Sequence, residues 1–135
     1  MKYYPVVIHK DENSCFGVTV PDIAGCFSAG DTLEDALFSA RDAINNHLEI
    51  LAEDGIIAPQ ASPVDRYYND PDYKDAQWSY VAVDTSAFLG KTEKVTITLP
   101  KLLIKQIDRN VAEGNVKNRS AFLAESAIQA LGNHG

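Results

Sequence analysis

Lys94-Val95-Thr96-Ile97-Thr98-Leu99-Pro100 is the stretch that organises this chain. Apolar and polar residues alternate strictly, which is the period of a half-buried strand with Val95, Ile97 and Leu99 on one face and Lys94, Thr96 and Thr98 on the other. Pro100 ends the run, because proline has no N–H for a ladder and its fixed φ suits the start of a helix. A single short strand needs a partner for its backbone groups. The simplest partner is the same strand of a second copy. A two-stranded ribbon of that kind fits the DNA major groove, and its free face would carry a lysine and two threonine hydroxyls per chain.

Two short helices follow the strand. Leu103, Ile104, Ile107 and Val111 form an apolar stripe over 102–113, and Gly114-Asn115 stops it. Ser120 is the expected N-cap of the second helix, whose apolar face is Phe122, Leu123, Ala127, Ile128 and Leu131. Each helix is too short to be stable alone. Strand and helices of two chains are therefore expected to share one core, as an obligate homodimer through residues 94–131, with tetramers left open. The backbone N–H groups near Asn118, Arg119 and Ser120, together with Lys91, are candidate phosphate contacts. Lys94, Thr96 and Thr98 are the candidate base contacts.

Charge divides the chain at the same place. Residues 1–90 hold five Lys and Arg against fifteen Asp and Glu, a net of −10; residues 91–135 hold seven against four, a net of +3. A basic tail suits a polyanion and an acidic body suits a basic protein. The body should repel DNA, and a linker over 85–93, containing Gly90-Lys91-Thr92, would keep the tail clear of it. No apolar run is long enough to span a membrane, and Met1-Lys2-Tyr3-Tyr4-Pro5 does not open a secretory signal. Cys15 and Cys26 read as small apolar residues of a reduced, cytoplasmic protein.

Working back towards the start, the body reads as β-β-β-α-β. Tyr4, Val6 and Ile8 alternate in a first strand over Tyr3–Ile8, and His9 to Asn13 is a polar turn. Phe16, Val18 and Val20 form a second strand, and 26–29 a short third one. Gly30-Asp31-Thr32 opens a helix that Asp31 or Thr32 can cap. Leu33, Leu37, Ala40, Ile44, Leu48 and Leu51 are its core stripe, and Gly55 its stop. Pro59 to Gln77 is a surface loop with Pro, Asp and Tyr, and Trp78–Asp84 a fourth strand. Trp78 reads as core, whereas Tyr67, Tyr68 and Tyr73 suit either core or an interface.

Two segments carry a family resemblance. Lys-Val-Thr-Ile-Thr-Leu-Pro at 94–100, with the Asn-Arg-Ser-Ala-Phe-Leu run at 118–123, resembles a ribbon-helix-helix DNA-binding domain. Tyr4-Pro5-Val6-Val7-Ile8 and the run Phe16 to Ala36, with its Pro-Asp-x-x-Gly-Cys-x-x-x-Gly-Asp-Thr-x-x-Asp-Ala pattern, resemble the HicB antitoxins of bacterial toxin–antitoxin modules. The resemblance implies an α+β chain with a partial RNase H-like domain over 1–84, a linker over 85–93 and a dimeric ribbon-helix-helix domain over 94–135. It implies that the first domain blocks a small basic RNase, a HicA-type toxin, and that the second binds operator double-stranded DNA to repress the operon. The alternative is a stand-alone ribbon-helix-helix repressor whose first domain senses a small molecule. Catalysis is not expected. RNase H-type nucleases place a carboxylate on their first strand for two metal ions, and Tyr3–Ile8 has none. His9 and His47 have no partner at ligand spacing. The expectation is a non-enzyme with no cofactor and no metal.

Overall fold

A computed structural model describes residues 1–10 and 15–132 of the protein, in two compact units, Met1–Gly90 and Lys91–Gly135. In the first unit the alternating runs become β1 (Lys2–Lys10), β2 (Phe16–Thr19), β3 (Phe27–Gly30) and β4 (Gln77–Val83), with helix α1 (Leu33–Glu53) between β3 and β4. All pairings are antiparallel, in the order β3-β2-β1-β4. β1 is longer than its apolar run: His9 and Lys10, expected in the turn, pair with Gly17 and Phe16 instead. The rest of that turn lies outside the described residues. Pro5 occupies the half of β1 that β2 does not reach, so its missing N–H breaks no β1–β2 ladder.

Period two decides which side chains meet. Tyr4, Val6, Val18, Val20, Val81 and Val83 face α1, and α1 answers with Ala36, Ala40, Ile44 and Leu48 at spacings of four. Leu37 and Leu51, expected in the stripe, flank it half-buried, while Ala36, not expected in it, is buried. Burying side chains the size of Ile44 and Leu48 contributes roughly 1.5–3 kcal/mol each. Thr32, one of the two caps the sequence offered, caps α1 by accepting the Asp35 N–H at 3.1 Å. At the other end Gly55, with φ of +74°, lets its own N–H reach Ala52 O and the Ile56 N–H reach Leu51 O at 2.8 Å.

Gly30 is the most crowded of the described glycines. A Cβ there would sit 2.5 Å from the Ala36 nitrogen and 2.7 Å from the Asp35 carbonyl carbon, both backbone atoms of the first turn of α1. The Ser28 hydroxyl, 3.0 Å from Ala36 O, draws β3 onto the same turn. Gly30→Ala should therefore force helix and strand apart and cost roughly 1–3 kcal/mol. A thermal midpoint equal to that of the unaltered chain would show that this junction relaxes freely.

The stretch read as a surface loop is tied down at several points. It contains two 3₁₀ turns, Val64–Tyr67 and Pro71–Tyr73. Asp22 accepts the Ser62 N–H at 2.7 Å and the Tyr67 hydroxyl; the Tyr4 hydroxyl donates to Pro59 O at 2.7 Å. Tyr67 stacks on Trp78 and Tyr73 meets both edge-on, so these three form a satellite of the core while Tyr68 is exposed. Residues 85–88, expected in the linker, form a 3₁₀ turn capped by Asp84, and Phe88 packs on the first unit's core.

In the second unit Lys101–Ala112 is helix α2 and Arg119–Gly132 helix α3. Gly114, with φ of +80°, ends α2 as Gly55 ends α1: its N–H reaches Val111 O and the Asn115 N–H reaches Asn110 O. Asn118, not Ser120, caps α3, its side-chain oxygen accepting the Ala121 N–H at 2.8 Å. Both residues are good caps; the helix begins at Arg119, two residues earlier than a Ser120 cap would set it, which places Ser120 inside its first turn. Ile107 is the buried apolar residue of this unit, with Ile104, Val111, Phe122, Leu123 and Ile128 half-buried and Ala127 and Leu131 exposed.

Candidate functional site

Residues 94–99 form neither helix nor strand within one chain. Val95 is 77 % and Ile97 56 % exposed, and Leu99 is half-buried. Lys91, Lys94, Thr96 and Thr98 are exposed as well, so a single chain does not separate the two faces of this segment.

Asn118, Arg119 and Ser120 come together at the N-terminus of α3. Asn118 spends its side-chain oxygen on the cap and keeps its amide N–H groups. Arg119 makes a bidentate ion pair with Asp108 of α2, Nε to Oδ1 at 2.7 Å and Nη2 to Oδ2 at 2.8 Å. The hydrogen bonds from Arg119 hold the Asp108 carboxyl below the usual carboxylate range. The guanidinium thus joins α2 to α3 with two of its nitrogens and has Nη1 left for an anion. Asp108, eleven residues back, is brought to Arg119 by the α2–α3 turn.

The first unit presents a different surface. A groove of about 800 Å³ lies beside β4. Glu34, Leu37, Phe38 and Arg41, spaced as one stripe of α1, form one wall; Tyr3, Tyr80 and Ala82 are on the other. Sequence reasoning missed this groove. Phe38 lies off the buried stripe of α1, and only the sheet order puts β4 beside it.

Among the described residues no three His, Cys, Asp or Glu side chains are gathered as a metal ion would need. Strand β1 carries no carboxylate. His47 Nδ1 lies 3.0 Å from Ala43 O within α1, and His9 Nε2 lies 3.3 Å from the Thr19 hydroxyl. Cys26 is buried, which raises its thiol pKa, and Cys15 is half-buried. No helix among the described residues is long and apolar enough to cross a membrane.

Two phenols report on the tether that holds residues 56–76. Burial, then the charge of Asp22, pushes Tyr4 up to about 12; burial, then the hydrogen bond to Asp22, pushes Tyr67 up to about 12. A raised folded pKa favours the neutral phenol, so this contribution to stability is present below the unfolded value of about 10. It is lost as pH rises through 12. Of the six tyrosines, two should therefore ionise last in an absorbance titration, together with unfolding. A titration in which all six ionise together near 10 would contradict the tethered arrangement.

Comparison with known proteins adds three likenesses and a family. The model of a HicB-like antitoxin of bacterial toxin–antitoxin systems matches residues 4–127. An uncharacterized 14.9 kDa protein of the rep-hol intergenic region of Haemophilus phage HP1 is 44 % identical over 129 residues, covering 95 % of this chain and 96 % of that one. The crystal structure of the Burkholderia pseudomallei antitoxin HicB superposes with a TM-score of 0.74 at 39 % identity, over 97 % of this chain and 99 % of that one. A chain of the HicA3 and HicB3 toxin–antitoxin complex matches with a TM-score of 0.50 at 36 % identity, over 61 % of this chain and 98 % of that one.

Proposed function

We propose a division of labour for this chain, which belongs to the HicB-like antitoxin family of bacterial toxin–antitoxin systems: the acidic first unit binds and neutralises a HicA-type toxin, and the second unit dimerises on operator DNA to repress the operon. The observation that carries the first half is the charge of residues 1–90, five basic against fifteen acidic residues, in a chain similar to the antitoxin of a HicA–HicB complex. A basic RNase is steered to such a surface, while apolar contacts supply the affinity. The unit acts by covering the toxin's RNA-binding surface and not by chemistry of its own. It works in the cytoplasm and needs neither metal nor cofactor. Its β-β-β-α-β order is the partial RNase H-like arrangement.

The second half rests on the poor burial of residues 91–132. One fully buried apolar side chain, Ile107, cannot hold an extended segment and two helices in place. Pairing two copies of 94–99 as a ribbon buries Val95, Ile97 and Leu99 on α2 and α3 of both chains, which is the ribbon-helix-helix arrangement. Lys94, Thr96 and Thr98 then face the bases. Lys91, the Asn118 amide, Arg119 Nη1 and the first-turn N–H groups near Ser120 take the flanking phosphates.

A fragment cut after Gly90 tests whether the two activities separate. The cut falls there and not at 84 because Phe88 packs on the first unit's core. The fragment should inhibit the toxin and leave operator DNA unbound. A folded fragment without inhibition would refute the assignment of toxin binding to the first unit.

A further inference from the structure

β4 is an edge strand, paired only with β1 among the described residues. Edge strands that stay solvent-exposed are normally short, or guarded by lysine, proline or a bulge, because their free N–H and C=O groups will pair with any strand that arrives. The opposite edge, β3, follows this rule with four residues. β4 does not: Gln77-Trp78-Ser79-Tyr80-Val81-Ala82-Val83 has neither a charge nor a proline in seven residues. Its flank is apolar as well. Phe38 of α1 is 68 % exposed, Tyr3 59 % and Tyr80 52 %, all three lining the groove beside the strand. Large aromatics left in solvent around a concave surface mark a place where a partner docks.

Charge selects the occupant. A second copy would bring another first unit of net −10 against the first. A basic protein meets the opposite field; the selection comes from the net charge of the unit, since the groove wall itself carries Glu34 together with Arg41. We propose that β4 receives a strand of a basic partner, extending the sheet from four strands to five, while an apolar side chain of that partner fills the groove between Phe38 and Tyr80. Resting on the functional reading above, the partner is the toxin, and this edge is where the antitoxin holds it.

The test uses the full chain and a catalytically inactive form of a HicA-type toxin. In the complex, hydrogen exchange of the β4 amides, 77–83, should slow. Phe38→Glu and Tyr80→Lys should each weaken toxin binding roughly thirtyfold or more, the effect of losing an interface hot spot. Both variants should keep the thermal midpoint, the mass of the free protein and the affinity for operator DNA. Phe27→Lys, on an exposed residue of the opposite edge, should bind toxin as the unaltered chain does. Unchanged toxin affinity in both groove variants, unchanged β4 exchange, or equal weakening by Phe27→Lys would overturn the inference while leaving the antitoxin function standing. A fall in the mass of the free protein with Tyr80→Lys would assign the edge to a second copy instead. If the unaltered chain fails to bind the toxin, the functional reading falls, and this inference with it.

Discussion

Ile97→Asp should turn the protein into a monomer and abolish specific operator binding. In one chain Ile97 is 56 % exposed, so the substitution costs the single chain little. In the paired ribbon it would place two carboxylates inside a shared apolar core, where unpaired charge is expensive to bury. On the proposed reading, folding and pairing of the second unit are one event, so loss of pairing would remove the DNA-binding surface as well. Affinity for the operator should fall to that for random DNA, a loss of roughly a thousandfold or more. Sedimentation equilibrium and operator titration read the two effects, and toxin inhibition should be untouched. A variant that remains dimeric with full operator affinity would mean that the two faces of 94–99 are assigned the wrong way round.

The second large effect lies in the other unit. Ile44 is fully buried at the centre of the α1 stripe, in the cluster that holds Val6, Val18 and Val81. Ile44→Ala removes three carbons from a close-packed site and leaves a cavity that helix and sheet close only in part, a loss of about 2–5 kcal/mol. For a unit of this size the thermal midpoint should drop by roughly 4–8 °C per kcal/mol. Toxin binding should fail on warming before DNA binding does. A loss below about 1 kcal/mol would mean that α1 packs on the sheet elsewhere.

Short-range pattern carried much of this architecture. Alternation over 4–8 and 16–20, the Ala40, Ile44 and Leu48 part of the α1 stripe, and Gly55 and Gly114 as helix stops follow from local sterics and periodicity. Contacts between distant residues were not legible. Asp22 reaches Ser62 and Tyr67 across separations of 40 and 45 residues, and no local signal marks a carboxylate as a tether. Arg119 meets Asp108 only because the α2–α3 turn folds one helix back on the other. The cap of α3 was missed for another reason: Asn118 and Ser120 both have the right chemistry, so composition could not rank them. The groove escaped because Phe38 looks like an ordinary surface residue of α1 until β4 is placed at the sheet edge beside it.

Titrating the toxin's ribonuclease activity with the full-length chain tests the central claim most directly. The account predicts stoichiometric loss of RNA cleavage, one antitoxin chain for each toxin, with association that slows steeply as salt screens the acidic unit. Undiminished cleavage in the presence of excess folded antitoxin would contradict it.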